Sequence, residues 1–237
     1  MTSKVAIMQP YFLPYIGYFQ LINYVDTFVV YDEIQYTKKG WINRNRIWKN
    51  GDFDYITLPL KKDSDYLNIN QRTLSDDIKR HIEKTFNKIK ATYSKAPFYN
   101  ETIPVISEIL SFNDKNLFSF IFNSILLINK HLDIGTTLVS SSNVEKENIK
   151  GLKGEKRVLA ICNQLKATHY INPIGGVELY AKETFKENGL SLQFLKTDPI
   201  FYNQFDMEFV PALSIVDVLM FNGKEQSKAL LSSFSLI

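Results

Sequence analysis

The sequence predicts an α/β fold in which helices cover a mostly parallel sheet. The first 32 residues read as strand, helix, strand, and residues 155–195 repeat that rhythm. A βαβ crossover joins two parallel strands, and two such units in one chain are typical of a parallel sheet covered by helices. Helical patterns lie between the two units. We therefore expect one α/β domain over residues 1–237, with residues 75–131 as a helical insert or cap.

The first βαβ unit begins almost at the N-terminus. Its first strand is the short apolar run Lys4–Met8, which ends at a Gln-Pro pair. Pro14 suits the first turn of the helix that follows, because the N–H that proline lacks has no helical partner there. Thr27–Tyr31 is rich in β-branched and aromatic residues, which favour strands. The second strand is therefore expected to lead directly into Asp32.

The middle of the chain predicts a β-hairpin followed by three helices. The pair Asn50-Gly51, a strong signal for a two-residue hairpin turn, separates the runs 41–48 and 53–60. Apolar residues at helical spacing follow the hairpin. The three helices are expected from the N-cap Ser75 to Tyr93, over 103–110, and from Asn113 or Asp114 to His131.

The last third of the chain returns to alternating strands and helices. The loop at 172–176 is expected to open a helix, and Gly189 lies where the end of that helix requires positive φ. The expected segments are a strand at 138–139, a helix at 155–165, a strand at 168–171, a helix at 177–188, a strand at 190–195, and a helix from Leu213 that ends at Asn222-Gly223.

Composition excludes several classes of protein. The 237 residues carry 28 Lys and Arg against 25 Asp and Glu, a net charge of +3 that is too small for a dedicated nucleic-acid binder. Hydrophobic residues make up 45%, so the chain is not disordered as a whole. The single Cys162 excludes a disulfide scaffold and, among apolar neighbours at helical spacing, is expected to be a buried structural thiol. The most apolar window, 117–128, is too short to span a membrane. We expect a soluble, cytoplasmic protein.

The first candidate site is the segment that follows the first strand. Residues 9–15 read Gln-Pro-Tyr-Phe-Leu-Pro-Tyr and stand between a strand and a helix. Ligands of open α/β sheets bind beyond the carboxyl ends of strands, near helix N-termini. Gln9, Tyr11 and Tyr15 are therefore candidate substrate-binding residues that could contact or stack on a base or sugar. The alternative is an aromatic core segment with a prolyl turn.

The second candidate site follows the second strand and enters the hairpin. Asp32 is expected at the same sheet edge as Gln9, and Gln35 follows it. Residues 38–49 contain five basic residues and no acidic ones, interleaved with two tryptophans. Arginine forks match phosphate oxygens, and asparagine can read sugar hydroxyls or base edges. Asn43 and Arg44 are therefore substrate-binding candidates, and the alternative is a solvated hairpin with ordinary surface charge.

Strand alternation gives this hairpin a testable geometry. Asn43 and Asn45 are expected on one face, and Arg44 and Arg46 on the other. One arginine of the pair is expected to bind phosphate.

Two further segments complete the candidate set. The loop with Asn172 and Gly175 could form an anion-binding nest, although a tight structural turn explains it equally well. Ser214 and Asp217 lie one helical turn apart and could both face the cleft, or they could simply cap a helix. Asp32 and Asp217 are the candidate catalytic carboxylates. The three histidines are scattered without a metal-binding spacing, so no metal is expected.

The opening segment also carries a resemblance to a known family. Residues 7–22, Ile-Met-Gln-Pro-Tyr-Phe-Leu-Pro-Tyr-Ile-Gly-Tyr-Phe-Gln-Leu-Ile, resemble the opening of the WbqC-like family, which occurs in bacterial gene clusters for lipopolysaccharide O-antigens and other surface polysaccharides. The resemblance spans nearly the whole chain. It continues through 32–35, 41–46, the helix at 154–162, Tyr170 and 213–219. Some members begin with His-Gln-Pro, whereas this chain has Met8, so a histidine base cannot be carried over to that position.

A weaker similarity concerns the fold. The first strand and the prolyl turn are similar to those of HxGH-type nucleotidylyltransferases, which implies a Rossmann-like, nucleotidyltransferase-like sheet. The two histidines of the nucleotidylyltransferase motif align with Tyr15 and Tyr18 of this chain. Tyrosine lacks both the near-neutral pKa and the cationic form of histidine. Nucleotidyl transfer by the usual route is therefore not expected.

The family resemblance implies an enzyme of surface-polysaccharide assembly. The expected reaction transfers an acyl or aminoacyl group, such as glycyl, to the amine of a dTDP- or UDP-linked sugar, with Asp32 or Asp217 accepting the proton. The donor is an unspecified acyl-carrier or aminoacyl compound. No further cofactor, membrane partner or nucleic acid is expected, with a charged tRNA as donor left open. The alternative is a non-catalytic sugar-nucleotide-binding protein with a degenerate nucleotidyltransferase-like fold.

Overall fold

A computed structural model describes residues 2–146, 148–149 and 151–237. Strands and helices alternate at both ends of the chain, and a hairpin and three helices lie between. The strands are β1 (Lys4–Met8), β2 (Thr27–Val30), β3 (Arg44–Lys49), β4 (Asp52–Thr57), β5 (Thr137–Ser140), β6 (His169–Pro173), β7 (Ser191–Thr197) and β8 (Phe234–Leu236). The helices are α1 (Ile16–Tyr24), α2 (Ile78–Tyr93), α3 (Tyr99–Leu110), α4 (Leu117–His131), α5 (Ser141–Val144), α6 (Gly154–Gln164), α7 (Lys182–Glu187) and α8 (Ile215–Leu230).

Six strands form one mostly parallel sheet in the order β5-β2-β1-β6-β7-β8. All neighbouring pairs are parallel except β7 and β8. The chain builds outward from β1 to β2 and β5, then returns to the other side of β1 for β6 and β7. This arrangement confirms the predicted mixed α/β fold with a mostly parallel sheet. The antiparallel edge strand β8 was not predicted.

The sheet has a hydrophobic core on each face. Along β1, Val5 and Ile7 pack in one core while Ala6 packs in the other. Side chains of successive strand residues point to opposite faces, so this alternation requires apolar cover on both sides. α6 covers one face through Val158 and Ile161, and α1 contributes to the core on the other face. The loops that follow the parallel strands lie at the carboxyl edge of the sheet.

The predicted hairpin and its turn are present, although its strands differ from the predicted runs 41–48 and 53–60. β3 and β4 pair antiparallel, with Lys49 opposite Asp52. Asn50 and Gly51 form the turn with φ values of 49° and 80°, as a type I′ turn requires. The buried backbone N–H of Trp48 donates to the Tyr93 hydroxyl at 3.0 Å, which ties the hairpin to α2.

The three predicted helices between the βαβ units are present as α2, α3 and α4, with shifted N-termini. α2 starts at Ile78 after Asp77 rather than directly after a Ser75 cap. α3 starts one turn earlier than expected and carries Pro104 in its interior. Asn116, rather than Asn113 or Asp114, caps α4, because its side chain accepts the backbone N–H of Ser119.

Two predicted helix boundaries were wrong. The expected helix at 177–188 is instead a 3₁₀ segment, Ile174–Leu179, followed by extended residues and the short α7. The expected stop at Asn222-Gly223 is a kink, since α8 continues to Leu230 with φ of 65° at Gly223. Close packing of the Phe98 ring leaves no room for a Cβ at that glycine. Gly189 has φ of 75°, as predicted.

Among the helices of the described residues, none has the length and apolar composition needed to cross a lipid bilayer.

Candidate functional site

Three chain segments, 12–14, 42–46 and 212–215, meet beside the N-terminus of α1. The side-chain amide of Asn45 donates to the carbonyl oxygens of Phe12 and Leu13 at 3.1 and 2.9 Å. The Ser214 hydroxyl donates to the Leu13 carbonyl at 2.7 Å. Leu13 and Ala212 both have positive φ, 44° and 54°, a conformation that is rare and strained for residues other than glycine. Buried hydrogen bonds thus hold the segments 12–14, 42–46 and 212–215 in one arrangement.

These segments enclose a small pocket of about 180 Å³. Its walls combine aromatic rings with one cation. They are formed by Tyr11, Pro14, Tyr15, Trp41, Asn45, Arg46 and Ala212. The Arg46 guanidinium lies between two rings, 5.2 Å from the centroid of Trp41 and 4.8 Å from that of Phe53. Its Nη2 donates to the Ala212 carbonyl at 3.1 Å, whereas its buried Nε has no partner among the described residues.

A larger cavity of about 630 Å³ adjoins the small pocket, and Tyr15 and Ala212 line both. Most of its walls are apolar. They are formed by Tyr15, Ile16, Thr197, Asp198, Pro199, Ile200, Phe201, Tyr202, Glu208, Phe209, Pro211, Ala212, Leu213 and Val218. Thr197 is the last residue of β7 and Ile16 the first of α1. The cleft formed by the two cavities therefore lies at the carboxyl edge of the sheet, where ligands of open α/β sheets bind.

Tyr15 separates the two cavities because Gly17 leaves space for its ring. A Cβ at Gly17 would overlap the Tyr15 ring and lie 2.6 Å from Thr197 Oγ1. That hydroxyl donates to Gln20 Oε1 at 2.8 Å, which fixes it against α1. The N-cap residue Tyr15 makes no side-chain hydrogen bond to the first turn of α1.

Asp32 lies at the same sheet edge as Gln9, as predicted, because Met8 and Val30 are in register at the ends of β1 and β2. Its carboxylate accepts hydrogen bonds from the Ser141 hydroxyl at 2.7 Å and the Ser142 N–H at 2.9 Å. Burial alone would raise the pKa of Asp32, but the hydrogen bonds from Ser142 and Ser141 outweigh it and lower that pKa. The structure thus places Asp32 at the N-terminus of α5, and it does not line either cavity.

Asp217 is fully buried at the start of α8. Its carboxylate accepts the hydroxyls of Tyr93 and Tyr202, each at 2.8 Å, and the Gln204 amide at 2.7 Å. Burial raises the pKa of Asp217 to about 6, against the effect of these three donors. Because Tyr202 lines the larger cavity, Asp217 lies one side chain behind the cavity wall. Ser214 caps α8 by accepting the Val216 N–H.

The hairpin side chains divide between the two faces as predicted. Asn43 and Asn45 are buried, and Arg44 and Arg46 are partly exposed. Asn43 accepts the Tyr36 hydroxyl at 2.9 Å, away from the cleft. Arg44 donates to the carbonyls of Lys39 and Gly40, its guanidinium carbon is 5.0 Å from the Tyr55 ring, and it does not line either cavity. Arg46, rather than Arg44, is the arginine that lines the cleft.

The remaining predicted residues lie in three places. Tyr11 lines the small pocket, and the Gln9 carbonyl accepts the Tyr18 hydroxyl at 2.9 Å. The Gln35 amide donates to the Asp65 carbonyl at 2.9 Å, outside the cleft. In the 172–176 loop, the Asn172 side chain occupies the space that a Cβ at Gly176 would need, whereas Gly175 faces open space.

Sequence reasoning missed several side chains of the cleft, among them Trp41, Asp198 and Glu208. Trp41 lay within the segment it singled out but was not named as a site residue, and Arg46 was named only as one of a pair, with Arg44 as the substrate-binding candidate. Asp198 directly follows β7, at the carboxyl edge of the sheet. Asp32 became a candidate because it follows a predicted strand, and the same argument could have identified Asp198. Among the described residues, no group of three or more His, Cys, Asp or Glu side chains could hold a metal ion.

Comparison with known proteins gives the family of this chain. The family model described as the WbqC-like protein family matches residues 9–229. The chain is similar to the uncharacterized protein Rv1507c of Mycobacterium tuberculosis (strain ATCC 25618 / H37Rv), with 30% identity over 228 residues that cover 94% of this chain and 95% of the relative. No solved structure matches. The matched residues include the loop segments 12–14, 42–46 and 212–215, and the chain belongs to the WbqC-like protein family.

Proposed function

We propose that this chain binds a nucleotide-linked amino sugar in the cleft and transfers an acyl or aminoacyl group to the sugar amine, as a step in surface-polysaccharide assembly. The observation that carries the proposal is the small pocket, where Arg46 stands among Tyr11, Tyr15 and Trp41. The substrate class is a dTDP- or UDP-linked amino sugar, and the donor is an activated acyl or aminoacyl ester or thioester.

The chemistry of the pocket favours a phosphate-containing ligand with a flat ring. A guanidinium pairs with phosphate oxygens in a fixed fork geometry, and Arg46 brings one to the wall of the small pocket. Tyrosine and tryptophan rings offer faces on which a base or sugar can stack. Two rings beside the guanidinium also keep it in place. A nucleoside diphosphate supplies both groups.

The topology supports the same proposal. Numbered by their order in the chain, the five parallel strands follow the 3-2-1-4-5 order of Rossmann-like sheets, and the order reverses beside β1. The segment after β1 contributes Tyr11 and Tyr15 to the cleft. We therefore propose a Rossmann-like, nucleotidyltransferase-like sheet that has kept the ligand position, with Tyr15 and Tyr18 in place of the catalytic histidines.

In the proposed reaction, the amine nitrogen attacks the acyl carbonyl carbon and a C–N bond forms. The bond from that carbon to the donor's oxygen or sulfur breaks, and its electron pair leaves with the donor. A carboxylate accepts the amine proton, and Asp32 and Asp217 remain the predicted acceptors. Each already accepts several protein hydrogen bonds, so either would have to exchange one of them for the amine.

That last observation favours a second candidate function. The carboxylates of Asp32 and Asp217 are both engaged by the protein, and neither lines the cleft. A protein that binds a sugar nucleotide without reacting with it needs the aromatic pocket and Arg46 but no proton acceptor. Turnover of an amino-sugar nucleotide with an acyl donor, followed by mass spectrometry of the sugar, separates the two functions.

The binding step is tested by thermal stabilisation with dTDP- and UDP-linked amino sugars, with ATP and free sugars as comparison ligands. Saturation at 100 times Kd adds about 2.7 kcal/mol, a melting shift of roughly 5–11 °C at this chain length. We expect the shift in the wild type and in Arg44→Ala, and its loss in Arg46→Ala. Equal losses in both arginine variants, or no shift with any nucleotide sugar in the wild type, would contradict the assignment of the pocket.

A further inference from the structure

We infer that the larger cavity is an amine-recognition subsite, in which Asp198 and Glu208 select a ligand that carries a positively charged amino group. This inference rests on the proposed function, because it assigns the two ends of the same ligand to the two cavities of the cleft. It names side chains and a charge preference that the proposed function does not require.

The charges on the cavity walls have one sign. Asp198 and Glu208 both line the cavity, and no Lys, Arg or His is among the described residues that line it. An amino group that enters is therefore attracted by two carboxylates without competition from a wall cation. An acidic ligand of the same size would be repelled. The wall charges thus favour an ammonium over a carboxylate or phosphate.

These two carboxylates are also unoccupied by the protein. Neither side chain of Asp198 or Glu208 accepts a hydrogen bond or joins an ion pair within the described part of the chain. Asp32 and Asp217, in contrast, each accept several hydrogen bonds from buried or half-buried groups. Among these four carboxylates, only Asp198 and Glu208 are free to bind a ligand without breaking a protein contact.

Aromatic rings form much of the remaining wall. The Phe209 ring lies 5.4 Å from that of Phe201 and 5.1 Å from that of Tyr202, with interplanar angles of 59° and 85°. The faces of such rings attract cations and cover the apolar face of a sugar ring. Tyr202 donates its hydroxyl to Asp217, so it offers the cavity its ring rather than a free hydroxyl. Rings and carboxylates together match an amino sugar.

The neighbouring pocket supplies the opposite charge. Arg46 lines the small pocket, and Tyr15 and Ala212 are shared by the two cavities. A ligand that spans the cleft would place an anionic group at Arg46 and a cationic group at Asp198 and Glu208. A nucleotide-linked 4-amino sugar has this polarity, because its diphosphate is on C1 and its amine lies across the sugar ring. The geometry therefore also sets the direction in which the ligand lies.

The test compares ligands that differ only in the amine. Calorimetry measures Kd for UDP, for UDP-linked 2-amino and 4-amino sugars, and for the matching hydroxyl sugars, in the wild type, Asp198→Asn and Glu208→Gln. Glu187→Gln is the control, since Glu187 is an exposed carboxylate on α7 outside both cavities. We expect the wild type and the control to prefer at least one amino sugar about tenfold or more over its hydroxyl counterpart. Asp198→Asn and Glu208→Gln should lose that preference and still bind UDP as the wild type does.

Three outcomes would overturn the inference, and they separate it from the proposed function. If the wild type binds UDP and the sugars without preferring any amine, the inference fails and nucleotide binding stands. If the preference survives in Asp198→Asn and Glu208→Gln, another group reads the amine and the inference also fails. If no nucleotide or nucleotide sugar binds the wild type, both the inference and the proposed function fail.

Discussion

The side-chain amide of Asn45 donates a 2.9 Å hydrogen bond to the carbonyl oxygen of Leu13. Leu13 has φ of 44°, a backbone conformation that leucine rarely adopts. The hydrogen bond from Asn45 therefore stabilises an unusual conformation of the chain. The Ser214 hydroxyl donates to the same oxygen. The Gln-Pro-Tyr and Asn-Arg-Asn-Arg segments are distant in sequence, and this contact makes them one structural unit around the cleft.

Replacing Asn45 by Ala should destabilise the protein and loosen the cleft. The variant loses two hydrogen bonds that the amide donates and one that its oxygen accepts from the Arg46 N–H, and it leaves the Phe12 carbonyl without the amide donor that it has in the wild type. A buried group that loses its partner costs about 1–3 kcal/mol, so we expect a loss of about 2–3 kcal/mol in the free energy of unfolding, measured with urea. Asn23→Ala on the exposed side of α1 is the control and should change stability by less than about 0.5 kcal/mol. A similar small effect of Asn45→Ala would contradict this role.

The sequence could predict elements whose pattern is local. The apolar run of β1, the β-branched run of β2 and the Asn50-Gly51 turn are specified by adjacent residues. The helix expected at 177–188 could not be corrected from the sequence. The predicted α-helix does not form there because of contacts within the loop. The Asn172 side chain packs against Gly176, and the chain forms a 3₁₀ helix instead.

The site could be predicted only in part, for a related physical reason. Alternation along β3 places Arg44 and Arg46 on one face, and nothing in the strand pattern distinguishes them. The difference arises in the tertiary structure, where Arg46 reaches the Ala212 carbonyl. Asp198 and Glu208 lie in the irregular segment 198–214, which has no periodicity from which the direction of a side chain could be inferred. The sequence could predict which residues follow a strand, whereas the placement of loop side chains became known only from the structure.

Replacing Gly17 by Ala should impair ligand binding more than folding. The added methyl group would overlap the exposed Tyr15 ring and come within 2.6 Å of Thr197 Oγ1, so the ring must move out of the wall between the two cavities and the Thr197 hydroxyl must shift. We expect a loss of about tenfold or more in affinity for the best nucleotide sugar, measured by calorimetry. Gly175→Ala is the matched control, because a Cβ there meets no atom within 4 Å. Wild-type affinity in Gly17→Ala would show that the position of Tyr15 does not matter for binding.

Cys162 should be unreactive in the folded protein. The thiol is fully buried, and burial raises the pKa of Cys162 to about 12. Since the thiolate is the reactive form, alkylation at pH 8 should be slower than that of an unfolded chain by about a thousandfold. Intact mass after iodoacetamide treatment should show no adduct on the native protein and one adduct in guanidinium chloride. Rapid labelling of the native chain would contradict this prediction and would make Cys162 a candidate nucleophile for acyl transfer.

Asp217 should make the protein less stable as the pH rises from about 4 to about 6. Its pKa is raised from 3.8 to about 6 in the folded protein. Well below pH 4 the carboxyl is protonated in both states and has no effect on the pH dependence. Between these values the unfolded chain loses the proton while the folded chain keeps it, so the free energy of unfolding falls with pH. The total fall is about 3 kcal/mol, because each unit of pKa difference corresponds to about 1.4 kcal/mol.

Urea unfolding of the wild type and Asp217→Asn over this pH range isolates that contribution. The difference in unfolding free energy, wild type minus variant, should decrease as the pH rises and become constant above pH about 6. Tyr202→Phe provides a second check. Removing that hydroxyl takes away a hydrogen bond that stabilises the ionised carboxylate, so the pKa of Asp217 should rise further and the decrease should extend to higher pH. A difference that does not change with pH would mean that the three donors fully offset burial. Asp217 would then be ionised at pH 5 in the folded protein and unable to titrate near neutral pH.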